Sequence, residues 1–309
     1  MKKKISVVIP VFCNEQSLDS LFERLVRVEK ELKNKFQFQL EIILIDDGSY
    51  DGSWELLVAF KKNRTSGKII KLTRNFGGVH AVKIGFQYVT GEAFTMLAAD
   101  LQDPPELILK MVEQWIAGNK FVICERENRH DPFLKILLSS IFYKIIRLMV
   151  LKNYPKGGFD LALMDKSLLP FLQKASKSSF PPILAYWLGH EPFVIKYTRQ
   201  KRLHGYSKWS FKKRVNTFFD IIFGFSINPI RFISIFGSLI SVASFFYGIF
   251  IFYNAIVGNI TQPGFSSIIT VLTFLLGLII LMLGIIGEYL WRILDEVNGR
   301  PEAVIDQIL

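Results

Sequence analysis

The run 5–11 is apolar and β-branched, and Leu18, Leu21, Phe22, Leu25 and Leu32 follow at helical spacing, which predicts a buried strand and then an amphipathic helix. The alternation repeats. Residues 40–45 read as a second strand ending at Asp46 and Asp47, 53–62 as a helix, and 68–72 as a third strand. A helix near 79–88, a buried strand at 93–98, a helix at 105–117 and a strand at 121–124 continue the pattern. This predicts an α/β domain with a mostly parallel sheet, in which ligands sit beyond the carboxyl ends of the strands. Asp46/Asp47 and Asp100/Asp103 both fall there.

The second half changes character. Residues 133–151 are nearly all apolar except for Lys135, Ser139, Tyr143 and Arg147, four residues apart on one helical face. That pattern fits a helix buried in the core and, equally, one lying in a membrane interface. Between Glu191 and Asp220 stand eight cations (Lys196, Arg199, Lys201, Arg202, Lys208, Lys212, Lys213 and Arg214) and no acid, interleaved with Tyr197, Tyr206, Trp209 and Phe211. Placed just before an apolar span, such a stretch is suited to anionic headgroups. Residues 232–257 and 265–287 carry no charge; each exceeds the roughly 20 residues needed to cross a bilayer core. With a turn at 258–264 they are expected to form a transmembrane hairpin, the alternative being two buried helices of a soluble protein.

Charge sharpens the division. The 309 residues hold 38 Lys and Arg against 27 Asp and Glu, with 50% apolar residues and a mean hydropathy of +0.29, which excludes a disordered chain. Residues 1–231 carry 36 cations and 22 acids, a basic half beside an uncharged block. By the positive-inside rule the N-terminal domain and the tail are expected in the cytoplasm, in a bacterial inner membrane. Cys13 and Cys124 are too few for a disulfide framework and lack metal-ligand spacing, so both read as reduced thiols. The opening segment imitates a signal peptide, but its short apolar run holds Pro10 and meets Asn14 and Glu15 without a cleavage site, and the strand reading is preferred. The expected layout is a catalytic domain over 1–204, a basic and aromatic juxtamembrane segment over 205–231, the hairpin over 232–290, and a tail over 291–309.

Two acidic motifs carry candidate chemistry. Asp46-Asp47-Gly48-Ser49 ends a strand before a helix, where carboxylates can accept hydrogen bonds from a base or ribose and glycine permits close backbone approach. The plain alternative is a turn whose Asp and Ser cap the helix. Asp100-Leu101-Gln102-Asp103-Pro104-Pro105 places several oxygen ligands after a buried strand, suited to Mg²⁺ or Mn²⁺ bridging a diphosphate. Its plain alternative is a helix start, with Pro at the first turn and Asp103 favourable to the dipole. No glycine-rich turn follows the first strand, which excludes a dinucleotide oxidoreductase. A Gln-x-x-Arg-Trp motif and further spans, expected of a processive polysaccharide synthase, are absent.

The motifs in order, residues 7–15, Asp46 to Asp51, Arg74-Asn75-Phe76-Gly77, Asp100 to Glu106, Gly158-Phe159-Asp160 with Met164-Asp165, 202–209, and Gly287-Glu288-Tyr289-Leu290, resemble the inverting family 2 glycosyltransferases of GT-A (Rossmann-like) fold. The branch resembled is the one acting on polyprenyl phosphates. The resemblance implies that Pro10, Phe12, Glu15 and Asp47 line the nucleotide pocket, joined by Asp46 of the same motif. It further implies that Asp100 and Gln102 hold the metal, that Asp100, Asp103 and Asp160 serve catalysis, and that Arg126, Arg202 and Lys208 hold the lipid phosphate. The implied partners are a nucleotide sugar, with uridine preferred, a polyprenyl phosphate (undecaprenyl over dolichyl), and membrane lipids. No nucleic acid is expected, and self-association is left open. Two departures stand out. Ala98 replaces the first Asp of the usual Asp-x-Asp, and Ala162 an Arg common two residues after the acceptor-site Asp. They give content to the alternative of a membrane-anchored nucleotide-sugar-binding homologue without turnover.

Overall fold

Strand β1 (Lys4–Val11) is covered on both faces, with Val7, Val8 and Ile9 all 0% exposed, so apolar residues stand at successive positions from Val7 to Val11 instead of alternating. A computed structural model describes residues 3–62, 64, 66–128, 133–177, 179–200, 211–257 and 264–309. Helix α1 (Glu15–Phe36) buries Leu18, Leu21, Leu25, Val28 and Leu32 along one stripe, each contributing about 1.5–3 kcal/mol relative to exposure. On its outer face Arg27 and Lys35 pair with Glu23 and Glu31 one turn earlier. Strand β2 (Gln39–Asp46), helix α2 (Ser53–Lys62), strand β3 (Lys68–Leu72), helix α3 (Gly78–Phe86), strand β4 (Ala93–Met96) and helix α4 (Leu107–Ile116) complete the expected alternation. β4 is two residues shorter than its apolar run.

The parallel set is β3-β2-β1-β4. Beyond it the chain departs from simple alternation. Strand β5 (Phe121–Asn128) continues four residues past the expected end, and helix α5 (Phe133–Met149) leads to β6 (Phe159–Asp165). β6 inserts antiparallel between β4 and β5. Its core letters, Leu-Ala-Leu-Met, are good helix formers, which is why local pattern does not announce a strand. Residues 161–164 are at most 1% exposed; burial between neighbours overrides propensity. Helices α6 (Leu169–Gln173) and α7 (Pro181–Trp187) precede β7 (Phe193–Thr198), which runs parallel to β5 inside the cationic stretch.

Helices α8 (Phe211–Phe225), α9 (Asn228–Val257) and α10 (Phe265–Val297) follow, and strand β8 (Ile305–Ile308) closes the sheet in the order β7-β5-β6-β4-β1-β2-β3-β8. The chain divides into two units, residues 1–221 with 300–309, and 222–299. In the second, α9 and α10 are each long and apolar enough to cross a membrane, and their most apolar stretches are 6% and 0% buried. Phe245, Phe246, Ile280 and Leu283 are all more than 60% exposed. That is the reverse of a soluble core helix, and it marks the two helices as candidate membrane spans. The expected turn at 258–263 lies outside the described residues. Helix α5 has a mixed face: Ile146 is 0% exposed while Leu148 is 80% exposed.

Candidate active site

The carboxyl ends of β1, β2 and β4 converge because the strands are parallel and in register: Val11 pairs with Asp46 and Val8 with Met96. Pro10 and Phe12 therefore stand beside the Asp46–Ser49 turn. Asp47 donates its backbone N–H to Val11 O at 2.8 Å, and Cys13 and Asn14 donate theirs to Ser49 and Ser53 hydroxyls, both at 2.9 Å. Glu15 accepts from Gly52 N–H at 3.1 Å, and the Phe12 and Tyr50 rings meet edge to face at 5.9 Å. The Ser17 hydroxyl donates to Ala99 O at 2.9 Å, tying the start of α1 to the acidic turn after β4.

The two aspartates of the first motif differ. Asp47 is 1% exposed, and its two oxygens accept the N–H groups of Phe76 (2.7 Å) and Gly77 (2.9 Å). It anchors the 74–77 loop. Asp46 is 0% exposed; one oxygen accepts from Ser49 N–H at 3.2 Å, and the other has no hydrogen-bond partner among the described residues. Burial raises both carboxyls above the ordinary aspartate range. Gly48 is required for close approach: at φ +70° a Cβ there would lie 2.5 Å from Arg74 C and 2.6 Å from Asn75 N.

The second motif turns at Leu101, whose φ is 58°, and Gln102 N–H donates to Asp100 Oδ1 at 3.1 Å. Asp103 points the other way, into the protein, at 2% exposure. There it accepts a hydrogen bond from the Tyr197 hydroxyl, and Arg199 Nε lies 3.7 Å from the same oxygen, an ion pair beyond hydrogen-bond range. The other end of Arg199 lies 3.8 Å from Asp160 Oδ2, which also pairs with Arg126. The register explains the meeting, since β5 lies between β6 and β7 with Arg126 opposite Tyr197. Gln200 N–H donates to Gln102 O at 3.0 Å, closing the ring. Burial and the Asp103 carboxylate push the Tyr197 hydroxyl well above the ordinary phenol range, so it remains a donor. Burial alone would lower the Arg126 pKa, but Tyr197, Asp103 and Tyr143 raise it above the ordinary arginine value.

A cleft of about 490 Å³ adjoins this ring, lined by Glu125, Arg126, Glu127, Tyr143, Lys156 and Lys196 among others. Glu125 accepts from Gly157 N–H at 2.9 Å and Glu127 lies 3.6 Å from Lys196 Nζ. The cleft thus brings three cations together with two acids, Lys196 being paired with Glu127 and Arg126 with Asp160.

Asp100, Gln102, Asp103, Arg126 and Asp160 are drawn into one region, while Pro10, Phe12, Glu15, Asp46 and Asp47 form its neighbour at the ends of β1 and β2. Arg202 and Lys208 lie outside the described residues. Arg199 and Tyr197 are functional candidates that the sequence pattern hid. Both sit in the stretch read as headgroup-facing, yet Arg199 serves Asp103 and Asp160, and Lys196 pairs with Glu127. The signal that could have found a strand there is composition, since Phe193, Val194, Ile195, Tyr197 and Thr198 are all strand formers. Position 162, on the same face of β6 as Asp160, is a fully buried Ala; the cations beside Asp160 come instead from β5 and from the residue after β7.

The profile of Glycosyl transferase family 2 matches residues 6–172. A Synechocystis protein named Uncharacterized glycosyltransferase sll0501 is 34% identical over 310 residues, covering 100% of this chain and 96% of that protein. The undecaprenyl-phosphate 4-deoxy-4-formamido-L-arabinose transferase of Photorhabdus laumondii is 33% identical, with 99% and 94% covered. The bactoprenol glucosyl transferase of Shigella phage SfX is 31% identical, with 98% and 98% covered.

Proposed function

Because this chain belongs to glycosyl transferase family 2 and is a glycosyltransferase, we propose that it moves a sugar, with inversion, from a nucleotide sugar to a polyprenyl phosphate at the cytoplasmic face of a membrane. The observation that carries the reading is the fusion of a family 2 catalytic unit to two bilayer-length helices whose apolar side chains are exposed. The relatives' names support the acceptor class more than the sugar, since they share a polyprenyl acceptor and differ between formamido-arabinose and glucose. Uridine diphosphate is the preferred leaving group and undecaprenyl phosphate the preferred acceptor. The pairing of β8 with β3 requires residues 300–309 to share a compartment with the catalytic unit, which supports an even number of crossings; the basic charge of residues 1–231 supports the cytoplasm.

The donor's nucleotide would lie over the ends of β1 and β2, against Phe12 and the Asp46–Ser49 turn. The acidic turn offers the oxygen ligands that a hard divalent ion would take. Among the described residues no group of three His, Cys, Asp or Glu forms a self-contained cage, and Asp103 is committed to Tyr197 and Arg199. Asp100 and Gln102 would hold Mg²⁺ or Mn²⁺, which when bound offsets the charge growing on the leaving diphosphate.

The acceptor phosphate, with a second pKa near 6, is largely dianionic at pH 7 and needs little help from a base. Its oxygen attacks the anomeric carbon as the bond to the nucleoside diphosphate breaks. Asp160, already paired with two guanidiniums, holds Arg126 and Arg199 in place until the phosphate arrives to share them. Arg202 and Lys208 are proposed to add to this set.

The test is to incubate the purified protein with undecaprenyl phosphate and a panel of nucleotide sugars, with and without chelator, and identify the lipid product by mass spectrometry. A glycolipid from one donor is expected. Binding of a nucleotide sugar without any glycolipid would instead favour a membrane-anchored binding homologue, to which Ala98 and Ala162 lend support.

A further inference from the structure

We propose that the segment 300–309 is a working part of the donor site, with Glu302 as a positioning residue for the loop that lies against Gly48. The proposal rests on the donor reading above. It starts from where the chain goes after its last apolar helix. β8 pairs antiparallel with β3, matching Ile70 with Ile308 and Lys71 with Gln307. Ile69 and Leu309 exchange backbone hydrogen bonds of 2.9 and 2.8 Å, and Ala303 is 8% exposed. The tail therefore covers what would otherwise be an open sheet edge.

Its grip falls on both ends of one loop. Immediately before the 74–77 loop, Thr73 N–H donates to Val304 O at 3.0 Å. Just after it, on α3, Glu302 Oε1 lies 3.0 Å from His80 Nδ1 and 2.9 Å from Lys83 Nζ. Lys83 is only 4% exposed, and its ammonium otherwise meets the carbonyls of Ser176 (2.6 Å) and Lys177 (3.1 Å). Glu302 is the carboxylate that balances this buried charge, and removing it leaves the cation uncompensated. Between the two clamps, Phe76 and Gly77 donate to Asp47, and the backbone of Arg74 and Asn75 lies on Gly48. A shift in the tail is thus transmitted through His80 and Thr73 to the wall of the Asp46–Ser49 turn. The tail becomes the means by which the segment following the apolar helices reports on the nucleotide end of the site.

The experiment uses the full chain in detergent or nanodiscs, beside Glu302→Gln and a chain ending at Arg300. Hydrogen–deuterium exchange at the Phe76 and Gly77 amides is measured without nucleotide, and UDP binding is measured by calorimetry with Mg²⁺. Faster exchange at both amides is expected in each variant. UDP affinity should fall on the order of tenfold, the fall expected if the ordered, binding-competent loop becomes only about one-tenth populated. A synthetic peptide of residues 300–309 added to the shortened chain should restore both. Wild-type exchange at Phe76 and Gly77 in a folded Glu302→Gln protein overturns the proposal, as does unchanged UDP affinity despite faster exchange. If the unaltered protein binds neither UDP nor any other nucleotide, the donor reading fails instead, and the link from tail to loop is still decided by the exchange data.

Discussion

Gly48 gives the sharpest test of a single residue. Its positive φ alone makes any side chain cost roughly 1–3 kcal/mol, and the contacts with Arg74 and Asn75 backbone add to that. Gly48→Ala should therefore lower the melting temperature and weaken nucleotide binding together, as read by calorimetry with UDP. A drop in stability with unaltered binding would show that the turn does not face the donor. Arg199 carries a different expectation. Arg199→Gln removes the cation shared by Asp103 and Asp160, leaving the buried Asp103 carboxylate with the Tyr197 hydroxyl and the longer-range charge of Arg126. The loss expected in kcat/KM is on the order of tenfold, about 1.4 kcal/mol, since Arg199 is partly exposed and lies beyond hydrogen-bond range of both carboxylates. Asp160→Asn should cost less and leave the pH profile unchanged if Asp160 only holds the guanidiniums. A loss of several orders that follows a titrating group would assign it the role of base. Of these residues, Asp160 and Arg126 were legible through motif resemblance. Arg199 was not, because a lone cation in a basic stretch carries no local sign of its partners.

At the scale of elements, α4 is tied back to α1 by Arg24, which holds Glu106 with two hydrogen bonds and reaches Gln200 Oε1 at 3.3 Å. Burial would raise the Glu106 pKa, but the Arg24 hydrogen bonds and charge outweigh it, and the carboxyl stays below the ordinary value of about 4.5. A carboxyl depressed in the folded state contributes stability above its unfolded pKa and loses it as the pH falls through the folded one. Thermal melts between pH 7 and pH 3 should therefore show Glu106→Gln less stable than the unaltered protein near neutrality, with a shallower loss below about pH 4.5. A parallel pair of curves would mean that the ion pair contributes nothing. The first four strands and their helices are legible in sequence because parallel buried strands are continuously apolar and their covering helices keep a 3.6-residue stripe. β6 is not, since it is written in helix-forming letters, and β7, though rich in β-branched and aromatic residues, is masked by the cationic stretch around it, with Tyr197 its one buried residue.

For the whole molecule, the apolar helices are expected to bring the catalytic unit to an acceptor confined to the bilayer, which raises the local concentration of each for the other. Deleting residues 232–309 would be the direct test on sequence grounds, with nucleotide binding expected to survive. That deletion also strips β8 from the sheet. Replacing residues 222–299 by a flexible linker that keeps 300–309 separates the effects: UDP binding should persist while transfer to undecaprenyl phosphate falls steeply. Equal transfer to long-chain and short-chain polyprenyl phosphates by the linker form would remove the need for anchoring.

Taken alone, the amino-acid order determined the alternating α/β half, the two uncharged spans and the placement of the acidic motifs at strand ends. Each of these is set by local periodicity or by hydrophobic length, which a stretch of neighbouring residues carries within itself. Only the tertiary structure decided that Arg199 bridges Asp103 and Asp160, that β6 runs antiparallel between β4 and β5, and that the last residues return to the sheet beside β3. These depend on which distant segments pair, and pairing is chosen by burial and hydrogen bonding across the whole sheet, not by any signal within the segment.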